Sequence, residues 1–105
     1  HNMVNIIIYL KKTHNAKQVV RELLVEKLIA TASIDENNIS YKMENGVLIE
    51  ELSSVITAQS KSLLFSDIVK VLQNKFGEEI PIISTPIIGS TRVFEETIIS
   101  KTMLV

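Results

Sequence analysis

Cysteine and tryptophan are absent from this 105-residue chain, which also holds only three glycines and two prolines. The missing thiol removes disulfides, thiolate metal sites and a cysteine nucleophile together. So few glycines leave no glycine-rich phosphate fingerprint, and Gly89-Ser90-Thr91 ahead of a helix reads as a cap. An excess of positive charge is lacking too. The formal charge is −1 and the pI near 6.1, so there is no basic field to hold phosphates, and neither nucleic acid nor membrane is an expected partner. No apolar run approaches the roughly 20 residues of a membrane span. The run Val4 to Leu10 is broken by Asn5 and flows into Lys11 and Lys12, unlike a secretory leader, so the expectation is a cytoplasmic protein. His1 and Asn2 stand ahead of Met3, which reads as the natural start, and they carry no assigned function.

Apolar surface is what the chain has in quantity. Hydrophobic residues make up 46% of it and the mean hydropathy is +0.25, high for a chain too short to build two cores. A single domain over residues 3–105 is expected, with some apolar surface buried against other copies.

The pattern along the chain alternates between strand and helix. Val4 to Leu10 is β-branched and nearly all apolar, as in a central strand. Asn15 is placed to cap a helix, with Gln18 at the capping-box position and Ala16, Val19, Val20, Leu23, Leu24 and Leu28 on one stripe. From Thr31 to Met43 the apolar residues alternate imperfectly, and Asp35 to Asn38 reads as a bulge. Asn45-Gly46 suits a two-residue hairpin turn, with Val47 to Gln59 returning as a second long strand. Ser62 is the expected cap of a helix carrying Leu64, Ile68, Val71, Leu72 and Phe76 and ended by Gly77. Ile80 to Ser84, interrupted by Pro81, reads as a short edge or late-starting strand. A last helix from Ser90 or Thr91 turns Val93, Phe94 and Ile98 inward.

This order gives an α+β fold: a ferredoxin-like split βαβ sandwich, βαββαβ plus a C-terminal helix, with an antiparallel sheet and helices on one face. The central arms are about twice the usual strand length. Long, partly apolar arms with free edges are an aggregation hazard unless another copy pairs with them, so closed subunit-to-subunit strand pairing is expected.

Several segments carry a family pattern. Leu23-Leu24-Val25-Glu26-Lys27-Leu28-Ile29-Ala30-Thr31, then Ser33-Ile34, Ser40 and Gly46, Glu51, and Pro86-Ile87 with Gly89 fall in the order and spacing of the CutA family. The chain resembles that family from roughly Val4 to Ser100. The resemblance implies a small homotrimer associated with divalent-cation tolerance, with a fold similar to PII signalling proteins. The family's Cys position is Thr31, the hairpin Tyr and Trp positions are Lys42 and Glu44, and the Lys-Thr position is Gln59-Ser60. The His-Pro-Tyr-Glu segment is Phe76-Gly77-Glu78-Glu79, and the later Tyr and Trp positions are Val93 and Glu96. Soft and imidazole ligands are gone from these positions while the backbone plan is kept.

The remaining chemistry is sparse. His14, the one histidine after Met3, is either a ligand or, more plainly, a solvated loop residue. Glu78 and Glu79, joined by Glu50 and Glu51 or Glu95 and Glu96, are candidate hard ligands for a weakly bound divalent ion where subunits meet. Neighbours in a strand would point to opposite faces, so a solvated surface is the competing reading. Glu26, Lys27 and Gln59 are candidates for an intersubunit cleft, against an ordinary helix end where Lys27 complements the dipole. Tyr41, Met43, Asn45 and Gly46 mark the hairpin interface, with Lys42 and Glu44 guarding its edge. No nucleophile and base pair can be assembled, so no catalysis is expected. The expected role is metal-ion tolerance as a homotrimer, against a PII-like sensor holding a small ligand between subunits and signalling to a partner, or a scaffold without a site.

Overall fold

A computed structural model describes residues 2–105; His1 lies outside them. The elements run β1 (Met3–Lys11), α1 (Ala16–Val25), β2 (Thr31–Glu44), β3 (Val47–Lys61), a 3-10 turn (Ser62–Leu64), α2 (Phe65–Phe76), β4 (Ile82–Pro86) and α3 (Arg92–Lys101). The strands form one antiparallel sheet in the order β2-β3-β1-β4. This is the split βαβ plan. A row of four isoleucines, Ile34, Ile56, Ile8 and Ile82, crosses the sheet with one from each strand. Val19 and Leu23 of α1 and Ile68 and Leu72 of α2 join the same core. Burying one such side chain stabilises by about 1.5–3 kcal/mol, so the row and its helical cover dominate the fold's energetics.

α1 starts as its sequence dictates: the Gln18 N–H donates to Asn15 Oδ1 at 3.1 Å. Its end differs from the expected stripe. The helix stops at Val25, Glu26 caps it, and Lys27 takes a left-handed φ of 58°. The Lys27 N–H reaches Leu24 O at 3.1 Å and the Leu28 N–H reaches Leu23 O at 2.9 Å, the paired bonds of a Schellman motif. Leu28 is therefore folded into the core from outside the helix, and Leu24 is left exposed.

Two further expectations, on Ser62 and on α3, are corrected, while the late start and edge place of β4 are as expected. Ser62 does not cap α2: it opens the 3-10 turn, and α2 begins after Leu64 with no side-chain cap. β4 begins only at Ile82, because Pro81 has no N–H for the ladder; its carbonyl accepts from the Tyr9 N–H at 3.0 Å while Ile80 enters the core. In α3 only Ile98 of the three expected residues is buried, whereas Val93 and Phe94 are exposed. Gly77 ends α2 as expected, with φ of 67° and its N–H on Gln73 O at 2.8 Å.

The central hairpin explains the imperfect alternation of β2. Asp35 pairs with Val55 but Asn38 pairs with Ser53, so the intervening bulge shifts the register by one residue. Even positions such as Ile34 face the helices before it, and odd positions such as Ile39, Tyr41 and Met43 lie on that same side after it. Asn45 and Gly46, with φ of 49° and 77°, make the turn. β1 ends opposite Ser53, so from Ile39–Leu52 to Glu44–Val47 the two arms pair with nothing but each other. This overhang exposes Ile39, Tyr41, Met43, Val47, Leu48 and Leu52.

Candidate functional site

Where β1 stops and the hairpin continues, the loop between α2 and β4 turns alongside and leaves an open groove of about 440 Å³. Its floor is Tyr9 and Lys11 of β1 with Ser53 of β3; one wall is Ser40, Lys42, Glu51 and Leu52, and the other is Glu78, Glu79 and Pro81. Gly77 releases the chain from α2 in a left-handed conformation, and residues 77–81 form no strand. Glu78 and Glu79 therefore escape the alternation that would have sent them to opposite faces, and both line the groove. Glu51 joins them, and the bulge brings Ser40 and Lys42 to the same side as Glu51.

The charges in the groove are mostly spent on one another. Lys11 Nζ meets Glu78 Oε1 at 2.9 Å, and Lys42 Nζ meets Glu51 Oε1 at 3.0 Å and Glu44 Oε1 at 3.4 Å. The hydrogen bond from Lys11 holds the Glu78 carboxyl below its ordinary pKa, reinforced by the charge of Lys11 and, more weakly, of His14. Glu51 and then Glu44 hold the Lys42 ammonium above its ordinary value by hydrogen bonding and charge. On the hairpin's other side a hydrogen bond with Glu50 raises the Tyr41 phenol. These groups are solvated, so the pairs orient side chains more than they stabilise the fold. Glu79 makes no ion pair among the described residues.

No three carboxylate or imidazole groups converge on a common point among the described residues. Glu78 and Glu79 share the groove, but with His14 they form no three-donor cluster within one chain. His14 lies in the β1–α1 loop as expected but is half-buried rather than fully solvated. Its N–H donates to Lys11 O at 2.9 Å, and its ring stacks on Phe76 at 4.0 Å between centroids. Nδ1 is buried with no partner among the described residues.

The cleft candidates are dispersed. Glu26 lies with Gln18, Arg21, Glu22 and Val25 in a separate depression on the outer side of α1. Lys27 sits at the left-handed corner, and its carbonyl accepts from the Met103 N–H at 2.9 Å. Gln59 is on the sheet face away from α1 and α2, where it accepts from Thr31 Oγ1 and donates to Asn5 Oδ1 at 2.9 Å. Thr31 and Gln59, two of the positions that depart from the resembled pattern, are thereby bonded to each other. Tyr41 and Met43 are 58% and 63% exposed beside the Asn45-Gly46 turn. The groove residues not anticipated from sequence include Tyr9, Leu10, Lys11, Leu52, Ser53 and Pro81. Their only sequence signal is position: the last residues of β1 must oppose the point where a longer hairpin outruns its neighbour.

An antiparallel four-stranded sheet with this helix arrangement and an overlong central hairpin defines the CutA/PII-like class of α+β folds. Among the solved structures it superimposes on are CutA1 proteins. That from Oryza sativa gives a TM-score of 0.88 at 14% identity, covering 97% of this chain and 94% of that one. CutA1, the divalent cation tolerance protein of Thermus thermophilus, gives 0.86 at 16%, covering 96% and 99%. The divalent ion tolerance protein CutA1 from Ehrlichia chaffeensis gives 0.83 at 19%, covering 98% and 97%. No family model and no curated protein sequence matches the chain. At these identities the likeness establishes the fold.

Proposed function

We propose that the chain is a divergent CutA-type protein that works as a homotrimer in divalent metal-ion tolerance, in the cytoplasm and without catalysing a reaction. The observation that carries this reading is its near-complete superposition on the CutA1 structures, two of which are described by their divalent ion or cation tolerance. The exposed apolar overhang supports the assembly: six cross-strand pairs extend beyond the sheet with no cover of their own, and neighbouring copies would supply it. Since the described residues of one chain offer no complete ligand set, a cation would be held weakly or with donors from a second copy, Glu79 being the groove glutamate that makes no ion pair among them.

The physiological test is growth. Cells lacking the gene should lose growth at raised copper, zinc or nickel and regain it with the wild-type gene; unchanged tolerance would contradict the role. Calorimetric titration with Cu(II) should show binding weaker than micromolar, because thiols and paired imidazoles are missing. One observation favours a second reading. The groove's lysines and glutamates already pair with one another, an environment better suited to a small polar ligand than to a bare cation, as in a PII-like sensor that signals to a protein partner.

A further inference from the structure

An unanswered charge lies at the end of β3. Lys61 is 1% exposed and is the bulkiest fully buried side chain, paired across the ladder with Met3. Its ammonium donates to Met103 O at 2.8 Å and makes no ion pair among the described residues. An ammonium carries three N–H donors and a full charge; a single carbonyl engages one donor and neutralises none of the charge. Burying a cation without a countercharge is strongly unfavourable.

The structure leaves room for that countercharge. An open pocket of about 310 Å³ beside Lys61 is lined by Asn2, Lys61, Ser62, Leu63 and Val105, with no carboxylate side chain among them. Three of these residues carry polar side chains of the kinds that anions bind: an ammonium on Lys61, an amide on Asn2 and a hydroxyl on Ser62. The Ser62 N–H donates to Asn2 O at 2.8 Å, which holds these two residues side by side at the pocket.

We propose that this pocket binds an oxyanion, a carboxylate or phosphate group, with Lys61 as its countercharge. The anion comes either from solution or from a carboxylate side chain of a second copy; only the latter source rests on the trimeric assembly proposed above.

The test is a titration of the wild-type protein with inorganic phosphate and with acetate against chloride at constant ionic strength, read by amide chemical shifts and melting temperature. A solution anion gives saturable shifts at Ser62 and Leu63 and a saturable rise in melting temperature, both lost in Lys61→Met. A carboxylate from a second copy gives no response to free anions, while Lys61→Met loses assembly in light scattering and Lys61→Arg keeps it. The proposal is overturned if free anions have no effect and Lys61→Met assembles and melts like the wild type, or if the phosphate response persists in Lys61→Met. If Lys61→Met does not fold, a flat wild-type titration together with a monomeric wild type overturns it. The mass of the wild type separates the two readings: a monomer that binds phosphate ends the trimer and keeps the site. A trimer that fails both arms ends the site and keeps the trimer.

Discussion

Replacing Lys27 by glycine tests whether the corner after α1 is held by backbone geometry or by a side chain. Lys27 has a φ of 58°, a conformation that costs a residue with a Cβ about 1–2 kcal/mol. Glycine escapes that cost but loses about 0.5–1 kcal/mol more chain entropy on folding. The difference predicts that Lys27→Gly stabilises the protein by about 0.5–1 kcal/mol, and in a domain of this size each kcal/mol raises the melting temperature by about 4–8 °C. Lys27→Ala keeps the Cβ and so the strain, and should stay within about 0.5 kcal/mol of the wild type. The bond from the Met103 N–H to the Lys27 carbonyl survives both changes. Denaturant and thermal unfolding at one fixed protein concentration measure the effect, since the stability of an assembled protein depends on concentration. Equal losses in the glycine and alanine variants would refute the backbone explanation and assign the position to its ammonium and stem. A fall in assembled mass in both variants would place Lys27 at a subunit contact.

Ile8 lies between Ile56 and Ile82 in the row that crosses the sheet and has no exposed surface, so Ile8→Ala should cost about 2–5 kcal/mol in chemical denaturation. A loss under about 1 kcal/mol would mean that the row is not where the core's energy lies. The lowered pKa of Glu78 has a definite sign: its contribution to stability is present above the ordinary glutamate range and disappears as pH falls through the depressed folded value. In a proton titration followed by NMR, the Glu78 midpoint should rise when Lys11 is changed to Met; an unmoved midpoint would exclude the Lys11 bond as its cause. Leu48→Asp, on the exposed overhang opposite Met43, should leave the fold intact by circular dichroism and shift the assembled mass downward. A variant that assembles as the wild type does would remove the hairpin's apolar face from the interface.

The elements easiest to anticipate are those whose determinants are local. Asn15 caps through a bond three residues away, Asn45-Gly46 dictates its own turn, and Gly77 supplies the left-handed end of α2. The bulge is visible because two parts of β2 obey opposite parities, though its consequence, the placing of Ser40 and Lys42 beside Glu51, depends on the register of β3. Ser62 misled because a capping residue type says nothing of a 3-10 turn inserted ahead of the helix. Val93 and Phe94 misled because helical periodicity marks an apolar face without saying whether this chain or another covers it. The groove was legible only in part. Glu78, Glu79 and Glu51 carry a sequence signal, but Lys11 joins them through a strand end 67 residues from Glu78 in the chain. The half-burial of His14 was not legible, since its stacking partner, Phe76, sits at the far end of another helix.

Light scattering coupled to size exclusion at micromolar concentration bears most directly on how the overlong hairpin is accommodated. Pairing between neighbouring copies predicts a mass three times the 11.8 kDa chain, unchanged on dilution through that range. A species of one chain's mass, its hairpin still extended and protected from proteolysis, would contradict it.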